Sequence, residues 1–363
     1  MSPPGRPKGE YRRAQHEGTP VPLAVPTEEV IESELPICDP HHHLWDRHGH
    51  RYLLDELLAD TGQADAHGRS HNVRSTVFVE CASMYSADGP AALRPVGETE
   101  FVNGIAAMSA SGGYGDTRTA AGIVGFADLC LGSAVREVLE AHIGAARGRF
   151  RGIRHAAGWH ASERIRNSHS NPTEHLLLDK AFRAGFAQLA PLGLSFDAWL
   201  FHPQIAELTD LARAFPDTTI VLDHFGGPLG VGPYAGQADA VYADWQRDID
   251  ALARCPNVVA KLGGIHMPIN GFGWHKREPK PTSMQLAEAT ARYHLHTIER
   301  FGPARCMFES NFPVDKVSCS YLVLWNSFKH LAAGFSASEK AALFHDTATR
   351  VYRLGEPAGN QCK

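Results

Sequence analysis

The feature that most constrains this chain is a repeated alternation of short apolar runs with amphipathic stretches. In the amphipathic stretches, such as residues 204–215, an apolar residue recurs every three or four positions, which is the spacing of a helix. The apolar runs are continuous, as expected of strands that helices cover on both faces. The pattern predicts an α/β protein, a (β/α)8 TIM barrel, whose strands are residues 36–40, 76–81, 122–129, 150–155, 193–200, 219–224, 258–263 and 306–311.

The barrel is predicted over residues 35–363, and residues 1–34 are predicted to form an N-terminal extended arm. The arm is rich in proline and charged residues and has no clear period. We expect it to pack on the barrel surface or on a partner subunit, so both a monomer and a homodimer are compatible with it. A doubly wound sheet is the alternative fold, but no G-x-G-x-x-G follows the first strand and no G-x-x-x-x-G-K-[ST] loop occurs.

Composition excludes several classes of function. The formal net charge is -5, so the chain lacks the basic field that nucleic-acid binding requires. No apolar run approaches the roughly 20 residues of a membrane span, and the polar N-terminus does not resemble a secretory signal. The 7 cysteines are odd in number and form no C-x-x-C pair, which favours free thiols in a reducing compartment. We therefore expect a cytoplasmic protein whose partner is a small-molecule substrate.

Polar residues end most of the predicted strands, and a barrel places its active site at these ends. His41 and His43 follow the first strand and are two residues apart. Side chains at this spacing point to the same side of an extended segment, so the two imidazoles can share a metal ion or flank a substrate. A histidine-rich loop in solvent is the alternative interpretation. Later strands carry further candidates: Glu80, Arg154, Asp197, Asp223, His224, Lys261, Glu309 and Asn311.

The segment DPHHHLWD, residues 39–46, resembles the first-strand signature of the amidohydrolase-related TIM-barrel hydrolases. The similarity is to the branch that includes the 2-pyrone-4,6-dicarboxylate lactonase and sugar-lactone hydrolases. Matching segments follow in the expected order and cover nearly the whole chain after the arm. They are TVFVEC (76–81), FRGIRH (150–155), FDAWLFHPQ (196–204), FPDTTIVLDHFGGP (215–228), NVVAKLGG (257–264) and RCMFESNFPVD (305–315).

The resemblance implies roles for five residues. His41 and His43 match the pair that binds metal or polarises the substrate, and His224 matches the sixth-strand histidine. Arg154 matches a fourth-strand arginine that grips a substrate carboxylate, and a salt bridge at the rim is its alternative role. Glu80 is placed to bind metal or to act as a base, with a rim hydrogen bond as the alternative. The predicted metal ligands are therefore His41, His43 and His224, together with Glu80.

The fifth predicted strand lacks the histidine that the superfamily usually carries there, and has Asp197 instead. This departure removes a ligand that a binuclear site requires. The resemblance thus implies either one divalent ion, zinc or manganese, or a metal-free site.

The end of the eighth strand departs from the family more sharply. An aspartate that binds metal and accepts a proton is usual there, but this chain has Asn311, whose amide cannot act as a general base. Glu309 is two residues back and would share the face of Asn311 on an extended strand. We therefore predict that Glu309 supplies the missing carboxylate, ahead of Asp315 on the following loop.

Aromatic residues after the second, fourth and seventh strands are predicted to contact the substrate, and anchoring of the loops is their alternative role. They are Tyr85, Trp159 and Trp274. The leading hypothesis is a hydrolase that opens a lactone or a related cyclic or aromatic ester by histidine-assisted attack of water. Two alternatives remain: a metal-dependent nonoxidative decarboxylase of the same superfamily, and a non-catalytic barrel that binds a small molecule.

Overall fold

Eight parallel strands form the barrel of the computed structural model, which describes residues 27–47 and 49–355. Each strand pairs with the next along the chain, which confirms the predicted fold class. The strands are β1 (Pro36–His42), β2 (Asn72–Val79), β3 (Arg118–Gly125), β4 (Phe150–Arg154), β5 (Ser195–Ala198), β6 (Ile220–Leu222), β7 (Val258–Leu262) and β8 (Cys306–Phe308).

A helix follows every strand and packs outside the barrel. The helices are α1 (Leu54–Thr61), α2 (Val96–Ala110), α3 (Val135–Ala145), α4 (Lys180–Phe186), α5 (Ile205–Ala214), α6 (Ala238–Leu252), α7 (Ser283–Phe301) and α8 (Tyr321–Leu331), with α9 (Ala337–Ala341) and α10 (Thr347–Val351) after them. A short hairpin, Trp45–Arg47 with His50–Tyr52, separates β1 from α1. No helix of the described residues is long and apolar enough to cross a membrane.

The barrel closes where β1 meets the segment that follows β8. His42 and Phe312 form a parallel bridge, the Asn311 amide donates to the His41 carbonyl at 2.9 Å, and the His43 amide donates to the Phe312 carbonyl at 2.8 Å. This closure brings the residues after β1 and β8 side by side at the C-terminal mouth.

The barrel interior is filled by inward-facing apolar side chains from the strands, including Val77, Val221 and Met307. The segment at α10 closes the barrel from below, where Tyr352 and Leu354 join the same cluster. The helices bury a second and larger apolar layer against the outside of the sheet. Burial on both faces is why the strands read as continuous apolar runs in the sequence.

Five strands are shorter than predicted, β4 and β7 by one residue each, whereas β5, β6 and β8 have half of the predicted length. β6 ends at Leu222 and β8 ends at Phe308, because the backbone turns away from the extended conformation just beyond them. His224 and Asn311 have φ angles of 52° and 55°, in the left-handed region. Glu309 and Asn311 therefore do not share a strand face in the way that the sequence indicated.

Residues 1–26 of the predicted arm lie outside the described residues, and its boundary stays a prediction. The described part of the arm, residues 27–34, contacts the barrel. The Val30 amide donates to Asp65 at 2.9 Å, and Lys329 donates to the carbonyls of Ile31 and Glu32 at 2.7 and 3.0 Å. The six cysteines among the described residues are free thiols, as predicted, and Cys362 lies outside these residues.

Gly185 in α4 offers a test of how tightly the helices pack. A Cβ at Gly185 would lie 2.2 Å from the Leu129 carbonyl oxygen, whereas one at Gly144 in α3 would meet nothing within 4 Å. We expect Gly185→Ala to lower the free energy of unfolding by about 1–3 kcal/mol through overpacking. Gly144→Ala, the matched control, should raise it by up to about 1 kcal/mol through helix propensity. Urea denaturation followed by circular dichroism measures both, and equal midpoints for the two variants would contradict this packing.

Candidate active site

Three of the predicted histidines meet at the mouth of the barrel. The ring of His41 lies 4.5 Å from that of His224 and 5.0 Å from that of His43, measured between centroids. The exposed fraction of these residues is 0% for His41, 4% for His43 and 2% for His224. The ends of β1 and β6 therefore bring the imidazoles together in a buried site.

Glu309 lies between two of these histidines. Its Oε1 accepts a hydrogen bond from His224 Nδ1 at 2.6 Å, and its Oε2 lies 2.8 Å from His41 Nδ1. Among the described residues, His41, His224 and Glu309 form the group whose ligand atoms all lie within 4.8 Å of one another. Two imidazoles and one carboxylate are also the donor set of some catalytic zinc sites.

Two glycines after β7 make room for this cluster. A Cβ at Gly264 would lie 2.0 Å from His224 Nδ1, and a Cβ at Gly263 would lie 2.1 Å from the Glu309 carbonyl oxygen. Gly264 also has a φ angle of 66°, which side chains rarely adopt. The pair of glycines in the NVVAKLGG segment is therefore required by the close approach of His224 and Glu309.

Lys261 on β7 is buried beneath the histidines. Its Nζ donates to Asp197 at 2.7 Å, lies 3.1 Å from Asp223 Oδ1, and lies 3.1 Å from His41 Nδ1. Tyr352 reaches up from the lower end of the barrel and donates its hydroxyl to Asp197 at 2.6 Å. A chain of polar contacts thus connects the closed lower end of the barrel to His41.

Arg154 on β4 makes a second buried ion pair. Its Nε donates to Glu80 Oε1 at 2.8 Å, and its Nη1 lies 3.3 Å from His41 Nε2 and 3.5 Å from Asp223 Oδ2. The other Glu80 oxygen lies 2.9 Å from His169 Nε2. The side chain of His169 is 27% exposed, so it is the point at which this network reaches solvent.

We call the six buried ionic residues of the site the charged layer: Glu80, Arg154, Asp197, Asp223, Lys261 and Glu309. Burial would raise the pKa of Glu309, but His224 and His41 outweigh it and lower the pKa to about 2. Burial would also raise the pKa of Glu80, but His169 and Arg154 outweigh it and lower the pKa to about 2.

The other members of the charged layer are ionised at neutral pH as well. Burial would raise the pKa of Asp223, but Lys261 and His41 hold it well below its usual range. Burial raises the pKa of Asp197 to about 6, and the carboxylates around Lys261 raise the pKa of that amine to about 12 against the effect of burial. With the imidazoles counted as neutral, the layer has four carboxylates and two cations, which leaves two negative charges in excess.

The cluster differs from the predicted ligand set. It contains Glu309 and lacks Glu80, whose two oxygens are already engaged by Arg154 and His169. It also lacks His43, whose Nδ1 donates to the Val79 carbonyl at 2.8 Å. Arg154 has most of its donors engaged within the protein, since its Nη2 also donates to the Glu80 carbonyl. A grip on a substrate carboxylate by Arg154 therefore stays a prediction.

Asn311 is buried beside the cluster and uses its amide as a donor. Its Nδ2 donates to Asp315 Oδ1 at 3.2 Å. Burial raises the pKa of Asp315 to about 7, although His224 opposes this effect. The structure thus places Glu309 rather than Asp315 in direct contact with His41 and His224.

The predicted aromatic residues are all half-buried, in loops beyond strand ends. Burial raises the pKa of Tyr85, and the nearby carboxylate of Glu80 adds to this effect. Trp159 is held by a backbone hydrogen bond to Gln204 at 3.0 Å, and Trp274 stacks on Phe272. Their role as substrate contacts stays a prediction.

Two residues near the cluster were not singled out from the sequence. Trp199, directly after β5, packs edge-on against the His224 ring at 5.0 Å. His169 belongs to the long connection between β4 and α4 and contacts Glu80. The position of Trp199 just past a strand end was a usable signal, whereas nothing in the local sequence marks His169 among the 21 histidines.

Similarity to known proteins agrees with this geometry. The chain is 33% identical to an uncharacterized protein, y4mH, of Sinorhizobium fredii, over 89% of this chain and 100% of that one. It is 27% identical to an L-fucono-1,5-lactonase of Burkholderia multivorans, over 74% of this chain and 87% of the lactonase. A crystal structure of an amidohydrolase from Burkholderia multivorans with bound zinc superposes with a TM-score of 0.66 at 24% identity, covering 88% of this chain and 99% of that chain.

The family model described as amidohydrolase matches residues 38–354, which is most of the chain. The match spans β1 to α10 and includes every residue of the charged layer. It confirms the resemblance that the strand-end motifs indicated. This chain belongs to the amidohydrolase family and is an enzyme of that superfamily.

Proposed function

We propose that this enzyme hydrolyses a small lactone to the corresponding hydroxy acid. The observation that carries the proposal is the buried pairing of Glu309 with His224, at 2.6 Å and beside His41. This pairing prepares an imidazole to take a proton from water. The L-fucono-1,5-lactonase among the relatives supports a sugar lactone or a similar cyclic ester as the substrate class.

The position of the proton on His224 follows from its partner. Glu309 is ionised because its pKa is about 2, so it can only accept, and His224 Nδ1 must carry the hydrogen of their bond. In the neutral ring, the Nε2 atom of His224 then carries the free lone pair. A carboxylate that orients an imidazole in this way also stabilises the imidazolium that forms when the ring takes a proton.

We infer the following sequence of steps. His224 Nε2 takes a proton from a water molecule while the oxygen of that water attacks the lactone carbonyl carbon. The tetrahedral intermediate then collapses as the bond to the ring oxygen breaks, and the imidazolium returns its proton to that oxygen. The product is a carboxylic acid with a free hydroxyl, so the atoms of water and lactone balance. Trp199, which packs against His224, and Tyr85, which lies near Glu80, would bound the substrate.

The residues of the site also fit one divalent cation. Glu309 Oε2 and Asp223 Oδ1 are buried and make ion-pair contacts, to His41 Nδ1 at 2.8 Å and to Lys261 Nζ at 3.1 Å, and the charged layer has an excess of two negative charges. His41, His224 and Glu309 would hold the ion, and zinc or manganese suits these donors. When bound, such an ion would polarise a carbonyl and lower the pKa of a water molecule to about 7, and His224, as a ligand, would then not act as the base.

The substrate class is tested with a panel of lactones. L-fucono-1,5-lactone, other sugar lactones and aromatic esters are supplied to the purified enzyme, with and without a chelator, and acid release is followed with a pH indicator. Turnover of a lactone at a kcat/KM of about 10⁴ M⁻¹s⁻¹ or more supports the proposal. Turnover of aromatic esters alone, or of no member of the panel, contradicts it.

Glu309→Gln tests the pairing with His224. The amide cannot stabilise an imidazolium, so kcat should fall by about 10²- to 10⁴-fold while KM stays nearly unchanged. Steady-state kinetics and a thermal unfolding curve are measured together. Glu140→Gln, on the outside of α3, is the control and should behave as the wild type. A Glu309→Gln enzyme that loses stability but keeps its kcat would show that this carboxylate only anchors the end of β8.

Asn311→Asp restores the residue that is usual in the family, and we expect no gain in rate. The new carboxylate would face Asp315 in a buried pocket, where like charges raise each other's pKa and oppose folding. The unfolding temperature should therefore fall, by about 2–4 °C per kcal/mol lost. The double variant Asn311→Asp/Asp315→Asn exchanges donor and acceptor and should recover most of that loss. A faster single variant would overturn the assignment of Glu309.

Metal content tests the fit of the cluster to a cation. We expect about one divalent ion per chain in the purified protein, by elemental analysis, because three protein ligands converge on one point. His224→Ala removes one ligand and should lower this stoichiometry, whereas His345→Ala, at the opposite end of the barrel, should not. A wild-type enzyme that hydrolyses lactones with no bound metal would contradict the metal assignment and leave the proposed reaction standing.

A further inference from the structure

A second cavity lies at the end of the barrel opposite the candidate active site. Its volume of about 640 Å³ is within the range of sites for small molecules, roughly 300–1,000 Å³. Three of its lining residues begin strands: Pro36 on β1, Asn72 on β2 and Arg118 on β3. Since His41 follows Pro36 by five residues of extended chain, the two sites are separated by about 16 Å along β1.

Arginines surround this cavity without acidic partners. Arg74, Arg118 and Arg149 line it, and Arg151 and Arg353 lie beside them. Other arginines form ion pairs among the described residues, but these five do not. Their hydrogen bonds go to neutral oxygens instead, such as that of Arg149 to the Asn103 amide at 2.7 Å.

The positive charges at this end of the barrel repel one another. Burial lowers the pKa of Arg151, and the neighbouring charges of Arg353 and Arg149 lower it further. Arg74 is exposed and makes no hydrogen bond or ion pair with the described residues. Cations at this density with no acidic partner among the described residues are unusual in a chain whose net charge is -5, and an anion bound among them would relieve the repulsion.

The remaining wall of the cavity is apolar, with Ala106, Ala110 and Leu354 among its residues. Guanidinium groups bind a carboxylate through two parallel hydrogen bonds, and the apolar wall suits a hydrocarbon body. We propose that this cavity is a second ligand site, which binds a small organic carboxylate with an apolar chain. The recessed shape favours a small molecule over a nucleic acid or a membrane surface. The proposal does not depend on the reaction at the other end of the barrel.

Binding of octanoate to the full-length protein tests this proposal by isothermal titration calorimetry. We expect binding in the millimolar range or tighter, with 1-octanol showing none because it lacks the charge. Arg74→Gln and Arg118→Gln should each weaken octanoate binding about tenfold, which corresponds to the loss of one charge-assisted hydrogen bond. Arg74 has no partner among the described residues, so its substitution should leave folding intact.

Arg254→Gln is the matched control, since Arg254 is exposed at the turn before β7, at the same end of the barrel but outside the cavity. It should bind octanoate as the wild type does. Inorganic phosphate is titrated in parallel, and tighter binding of phosphate than of octanoate would overturn the proposed ligand class. An absence of octanoate binding up to about 10 mM, or binding that is insensitive to both arginine substitutions, would overturn the site itself.

Discussion

The ion pairs of Lys261 are the interaction on which the centre of this barrel depends. Its ammonium group separates Asp197 from Asp223 and also contacts His41. Without this cation two buried carboxylates would face each other, and a buried charge that has lost its partner costs several kcal/mol. The positions of His41 and of the residues around it therefore depend on a side chain that is itself fully buried. The same layer keeps an excess of negative charge, which favours a cation at the mouth, whereas Glu309 stays ionised because His224 and His41 lower its pKa.

Much of the fold could be predicted from the sequence, because the strands are buried on both faces and read as continuous apolar runs. The residues that end those runs converge for a geometric reason, since parallel barrel strands all finish at one rim. This reasoning was sufficient to bring His41, His43 and His224 together. It also selected Glu309 over Asp315 as the neighbour of the histidines, although the extended geometry assumed for that choice is absent.

The rest of the site depends on contacts between segments that are far apart in the chain. Glu80 looked equally suited to metal binding, and only the approach of Arg154 and His169 reveals that its carboxylate is occupied. His169 contacts Glu80 across 89 positions of sequence, and no local pattern carries that information. The left-handed backbone at His224 is likewise set by packing, because its ring occupies buried space that Gly264 leaves open.

The contact of Tyr352 with Asp197 has a consequence for how the enzyme matures on the ribosome. Asp197 lies just past the midpoint of the chain, and the Tyr352 hydroxyl that donates to it comes 155 residues later, after all eight strands. Protein synthesis adds roughly 5–20 residues per second, so the polar chain beneath His41 stays incomplete for about 8–30 seconds after Asp197 is added. The finished arrangement of the floor is therefore reached only once the segment that follows α10 has left the ribosome.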